Sequence, residues 1–143
     1  LSTSSAASDV YKRQVLEVFD AEIETIRYRS TGREFVTRYA KKVQKIRTCF
    51  SVSANQISDS EIKTIYLQVI DGSGELVLGT NILTTNVADS IYNCTSSAEF
   101  EYKNIEMTHC FEWERVQMLS AGEYHINLII EGSIAAHVNF KLR

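Results

Sequence analysis

Proline is absent from all 143 residues, and the chain has only six glycines, three histidines and one tryptophan. Average usage would supply proline at about 5%, so turns here fall to Gly, Asn, Asp and Ser. No window approaches the roughly 18 uninterrupted apolar residues that a membrane-spanning helix needs, which excludes one. No basic stripe stands out either. Fifteen Lys and Arg against 18 Asp and Glu give a formal charge of −3, so nucleic acid is not an expected partner. The three cysteines, Cys49, Cys94 and Cys110, have no C-x-x-C spacing. That excludes a zinc knuckle and leaves at most one disulfide with one free thiol. What is present is 44% hydrophobic and 23% charged residues. A chain this apolar offsets its ordering entropy by burial and is not disordered. Its length suits one globular domain that buries roughly two-thirds of its unfolded surface.

The chain opens with Leu1 rather than Met, so a fragment or a processed product is expected. Residues 1–14 (LSTSSAASDVYKRQ) are small and polar, with no period and no apolar segment of the kind a signal peptide requires. They look like a translated sequencing-adaptor remnant, and a flexible leader is the alternative. From residue 15 to 27 the apolar residues Leu16, Phe19, Ile23 and Ile26 fall at spacings of three, four and three. That is a helical stripe and an a/d seam, with Glu17, Asp20, Glu22 and Glu24 outside it. Residues 15–32 are therefore expected to be a short amphipathic helix, read most sharply as the end of a helical stalk, closed by Gly32. Such a helix is marginal in water by itself. The fragment is expected to be monomeric and a chain with its stalk restored to self-associate.

After Gly32 the period changes from 3.6 to 2. Ile46, Phe50 and Val52 alternate with Lys45, Arg47 and Ser51, and Ile65, Leu67 and Val69 alternate with Thr64, Tyr66 and Gln68. Asp71-Gly72-Ser73-Gly74 reads as a turn, followed by a returning strand at 75–79 with Leu76 and Leu78 inward. Residues 80–97 are polar and ambiguous. Strands follow with Ala98, Phe100 and Tyr102, then with Met107, Phe111 and Trp113, and a closing hairpin spans 124–130 and 134–142. Short strands with turns between them and no intervening helix predict an all-β, antiparallel, immunoglobulin-like sandwich over residues 33–143. Ala121-Gly122-Glu123-Tyr124 is like the turn that precedes the penultimate strand of such domains. The immunoglobulin disulfide is not expected, because Ile126 stands where its cysteine would be.

Two local expectations concern pairing. A three-residue loop Ile130-Glu131-Gly132 would pair Leu128 with Ile134, Ile126 with Ala136 and Tyr124 with Val138, and would set His125 across from His137. Cys49 and Cys110 alternate away from their apolar neighbours and are read as free thiols. A Cys49–Cys110 bridge is the alternative if their Cα atoms come within about 7 Å.

The segments Tyr28-Arg29-Ser30-Thr31-Gly32, Val43–Phe50 with Ala54-Asn55, Lys63–Asp71, Phe100-Glu101-Tyr102, Ala121–Tyr124 and Phe140-Lys141-Leu142 carry a resemblance. From about Ile26 onward the sequence resembles a group of Bacteroidetes proteins with an N-terminal membrane anchor, a long coiled coil and a C-terminal β-sandwich-like domain. Members are often labelled chromosome partitioning or segregation proteins, a label that follows coiled-coil similarity. The resemblance implies a cell-envelope setting on the periplasmic side, membrane attachment only through an anchor outside this sequence, and self-association through the stalk. It carries over no catalytic residue.

Chemistry-bearing residues are few. His109-Cys110 is the only adjacent nucleophile–base pair, but neighbours in a strand point to opposite faces, so His109 reads as a core-edge histidine. Glu99, Glu101, Glu112 and Glu114 lie on otherwise polar strand faces and read as solvated surface. Gly72-Ser73-Gly74 lacks the strand–loop–helix setting of a phosphate cradle, and Asn93-Cys94-Thr95 matches a glycosylation sequon, a match that the bacterial origin implied by the resemblance would make accidental. Trp113 on the inward parity reads as core; its alternative is a sugar-stacking platform with Tyr92 and Tyr102. His125 and His137 are weak metal candidates, since zinc wants a third ligand, and no cofactor is expected. The expectation is a non-catalytic interaction or scaffold module with a protein partner, with a glycan-binding module as the alternative.

Overall fold

The computed structural model describes residues 17–54, 61–79, 81 and 83–143; the 1–14 leader, Leu16 and the 55–60 loop lie outside them. Ten strands follow in order: β1 (Val18–Tyr28), β2 (Glu34–Val36), β3 (Lys45–Val52), β4 (Glu61–Ile70), β5 (Leu83–Val87), β6 (Ser90–Cys94), β7 (Ser96–Tyr102), β8 (Met107–Glu114), β9 (Gly122–Ile130) and β10 (Ser133–Leu142). One 3-10 turn, Ala40–Lys42, stands between β2 and β3. The first sheet has the order β2-β1-β3-β8 and the second β10-β9-β4-β7, and every pairing within them is antiparallel. The fold is thus an all-β antiparallel sandwich.

Alternation explains the layers. Ile46, Thr48, Phe50 and Val52 of β3 turn inward, as do Ile65, Leu67 and Val69 of β4 and Tyr124, Ile126, Leu128 and Ile130 of β9. All of these are buried, and each large aliphatic among them contributes about 1.5–3 kcal/mol on transfer from water. The sheets meet where Phe50 sets its ring edge-on to Phe100, 5.4 Å between centres. A third, two-stranded sheet of β5 and β6 lies over the outer face of the second sheet. Gln68 Nε2 donates to the Asn93 carbonyl at 3.0 Å there. Ile129, on that outer parity, is fully buried.

The expected N-terminal helix is not formed. Residues 18–28 are β1, an inner strand of the first sheet. Its pairing with β3 slips between Phe19 and Glu22, where Asp20 adopts φ 51°. This bulge resets the parity, so Val18 lies on the core side before it and Ala21 and Ile23 after it. A bulged strand therefore satisfies the same apolar spacing as a helix, and the β-branched Val18, Ile23, Thr25 and Ile26 favour the strand. Ile23 packs on the core and Ile26 is buried, so these two positions serve the domain itself.

The β9–β10 register also differs. Glu131 and Gly132, at φ 52° and 76°, form a two-residue turn with both central residues left-handed. A bulge between Ile134 and Ala136 then supplies the odd residue that the loop was expected to supply. Leu128 pairs with Ala136, Ile126 with Val138 and Tyr124 with Phe140, so apolar still meets apolar. His125 faces Asn139, not His137. After the Asp71–Gly74 turn only Leu76 bridges to Ile70. It is Val77 that packs on the core, while Leu78 is 66% exposed.

Candidate functional site

A groove of about 540 Å³ lies at one end of the sandwich, lined by Tyr39, Ala40, Lys41, Lys42, Met118, Leu119, Ser120, Ala121 and Arg143. One wall is the 3-10 turn. Ala40 N donates to the Arg143 carbonyl at 3.0 Å and Arg143 N to the Arg38 carbonyl at 2.7 Å, which ties this turn to the end of β10. The other wall is the loop between β8 and β9. Its Ser120 carbonyl accepts from the Tyr124 hydroxyl at 2.7 Å, the tyrosine corner of immunoglobulin-like domains. Arg115 joins the two walls from behind, its Nε donating to the Val43 carbonyl at 2.6 Å.

The groove's chemistry is mixed by design of the chain. Ala40 and Leu119 are buried and form an apolar floor, while Tyr39 at 52% and Met118 at 62% exposure stand open at the lip. Lys42 lies over the Tyr39 ring, 5.4 Å from its centre. A second depression, of about 640 Å³ and lined by Arg38, Asn139, Phe140, Lys141 and Arg143, adjoins it at Arg143. Neither lining contains an Asp or Glu among the described residues. The sequence carries a trace of this site, the Tyr39-Ala40-Lys41-Lys42 run and the loop apolar pair Met118-Leu119, but only the fold brings the two together.

The residues singled out from sequence do not converge. Trp113 is 6% exposed on the inner face of the first sheet, and Tyr102 is fully buried with its hydroxyl 3.1 Å from Asn104 Oδ1. Tyr92 is half-buried on β6 and borders a depression with Gln68, Ile70 and Ile91. The three share no open face, and neither Trp113 nor Tyr102 has a ring free to stack on a sugar. His109 packs beside both Phe50 and Phe100, with ring centres 5.8 Å and 4.7 Å away. Burial pushes its imidazole below the ordinary value.

The outer face of the first sheet is held by charge and by a covalent bond. Lys45 and Arg47 of β3 bind both Glu34 of β2 and Glu112 of β8. Hydrogen bonds from Lys45 and then Arg47 hold the Glu34 carboxyl below its ordinary value. Partial burial raises Glu112, and hydrogen bonds from the same two cations outweigh it and pull that carboxyl down. Next along the strands, Cys49 and Cys110 are joined by a disulfide. The free-thiol expectation is overturned for this pair because the β3–β8 register sets them opposite each other. Cys94 is free and buried.

Among the described residues no helix is long and apolar enough to cross a membrane. No curated protein matches the sequence. Among solved structures the chain is similar to the Pseudomonas fluorescens alkylpurine DNA glycosylase AlkC bound to DNA containing an abasic site analog. The TM-score is 0.44 and the identity 10%, over 87% of this chain and 30% of that one. The family described as a domain of unknown function, DUF8428, matches residues 20–143, and the chain belongs to that family.

Proposed function

We propose that this domain is a non-catalytic interaction module, and that its groove docks an acidic, apolar segment of a protein partner. The observation that carries the reading is charge against shape. In a chain with formal charge −3, the end that carries this apolar groove is rimmed by Arg38, Lys41, Lys42 and Arg143, and no carboxylate lines it among the described residues. Aliphatic side chains of the partner fill the floor over Ala40 and Leu119, and its carboxylates meet the rim. The cell-envelope setting is carried by the family resemblance alone. Self-association through a stalk rests on the family resemblance alone, since Phe19, Ile23 and Ile26 lie in β1.

The test is fluorescence anisotropy with two dye-labelled peptides of one length, alternating Leu with Asp or Leu with Lys. The acidic peptide is expected to bind, and the basic one not. Binding weakens at least tenfold in Lys41→Glu/Lys42→Glu and in Met118→Asp, and falls as salt rises from about 0.05 to about 0.5 M. Equal binding of both peptides, or indifference to the substitutions, overturns the reading.

A further inference from the structure

We propose that His125 and His137 form a two-imidazole site for copper(II) on the outer face of the β9–β10 hairpin. The two strands carry the same pattern, His125-Ile126-Asn127 and His137-Val138-Asn139, in antiparallel register. His125 therefore stands across from Asn139, and His137 across from Asn127. Each ring uses its Nδ1 on the amide opposite, at 2.8 Å from Asn139 Oδ1 and 2.7 Å from Asn127 Oδ1.

The proton on His137 is placed by a relay that begins at a backbone carbonyl. The Asn93 carbonyl can only accept, so the Gln68 atom 3.0 Å from it is the donating Nε2. Gln68 then offers Oε1 to Asn127 Nδ2 at 2.9 Å, which leaves Asn127 Oδ1 to face His137. An amide oxygen accepts, so Nδ1 of His137 carries the hydrogen and Nε2 keeps its lone pair for a metal. An imidazole tied at one nitrogen and open at the other is the arrangement metal-bound histidines show. His125 makes the same Nδ1 contact with Asn139 Oδ1.

The rings lie 5.6 Å apart between centres and 22° from parallel. An ion bonded to two imidazole nitrogens at about 2 Å has each ring centre roughly 3 Å away, so the separation of the centres is within one ion's span, and the near-parallel rings turn toward each other to aim both Nε2 lone pairs at it. Among the described residues no group of three or more His, Cys, Asp or Glu forms a metal site. Zinc sites take at least three protein ligands. Two nitrogens, with water in the remaining positions, instead suit the tetragonal N,O field of copper(II), which also binds a given nitrogen site most tightly among the divalent first-row ions.

The chain makes the experiment clean. It has three histidines in all, and the Nε2 of the third, His109, is buried. Two of its three cysteines are joined to each other, and Cys94 is buried. A two-imidazole signal therefore has one source. The full chain is titrated with copper(II) alone and followed by calorimetry and electron paramagnetic resonance. One ion per chain with two imidazole nitrogens is expected. His125→Gln and His137→Gln each leave one nitrogen and weaken binding at least tenfold, and Asn127→Ala weakens it about tenfold by freeing the His137 ring. Thermal unfolding without metal verifies that the surface variants keep the fold. Binding no tighter in the native chain than in the His125→Gln/His137→Gln double variant overturns the proposal, as does an unchanged nitrogen count.

Discussion

Cys49 lies directly opposite Cys110 in the β3–β8 register, with Cα atoms 4.1 Å apart and a disulfide between them. Each belongs to the outer face of the first sheet, one same-face step from Arg47 and Glu112. The bond closes a sequence separation of 61 residues that includes β4 to β7, among them two of the second sheet's four strands. Constraining the unfolded chain over a loop of that length contributes about 4 kcal/mol in the chain-entropy model. The Cys49→Ala/Cys110→Ala variant is expected to lose stability of that order in denaturant unfolding. A non-reduced digest should yield a Cys49–Cys110 crosslinked peptide in mass spectrometry. Reduction with no change in unfolding midpoint would count against a structural role for the bond.

Gly79 marks a second dependence. A Cβ built there would stand 2.2 Å from the Thr95 carbonyl oxygen, a backbone atom that cannot swing away. Thr95 in turn bridges two segments, accepting from Val69 N at 3.0 Å and donating to the Val77 carbonyl at 2.7 Å. Gly79→Ala is therefore expected to cost about 2–3 kcal/mol, the upper range for forced overpacking. Gly32→Ala is the control, since φ +86° strains it but nothing lies within 4 Å. It should cost only about 1–2 kcal/mol. Equal losses in urea unfolding would show that the close approach at Gly79 is relieved by movement.

The strands from β3 to β10 that carry strict alternation were legible because one buried face leaves a period-2 mark, and so was the turn before Tyr124. The misread first strand and the hairpin register share one physical cause: bulges. A single extra residue at Asp20 made β1 mimic a helical seam, and another near Ala135 shifted the hairpin pairing without disturbing its apolar match. The disulfide followed from register, which no single strand carries in its own pattern. The groove was hidden for a different reason. Its walls come from loops 39–42 and 118–121 and from Arg143, and loops have no period to read.

His109 gives the domain a pH dependence whose sign is fixed by its surroundings. Its Nε2 is buried with no hydrogen-bond partner among the described residues, and burial holds its pKa below the ordinary value near 6.5. The unfolded chain restores the ordinary value. Above about pH 6.5 the ring is neutral in both states, and the folded state keeps its full stability. As pH falls below that point the unfolded chain takes up a proton that the folded chain refuses. Stability then drops, by at most about 1.4 kcal/mol per pH unit, until the folded pKa is passed. Glu34 and Glu112, held below ordinary carboxylate values, lose their contribution only at lower pH, where the unfolded carboxylates protonate. The urea midpoint should therefore decline between about pH 7 and 5, and His109→Leu should flatten that decline while leaving His125 and His137 in place. At pH 7 the variant should be no less stable than the native chain, because it removes a buried nitrogen without a partner. An undiminished slope in His109→Leu would place the proton uptake elsewhere.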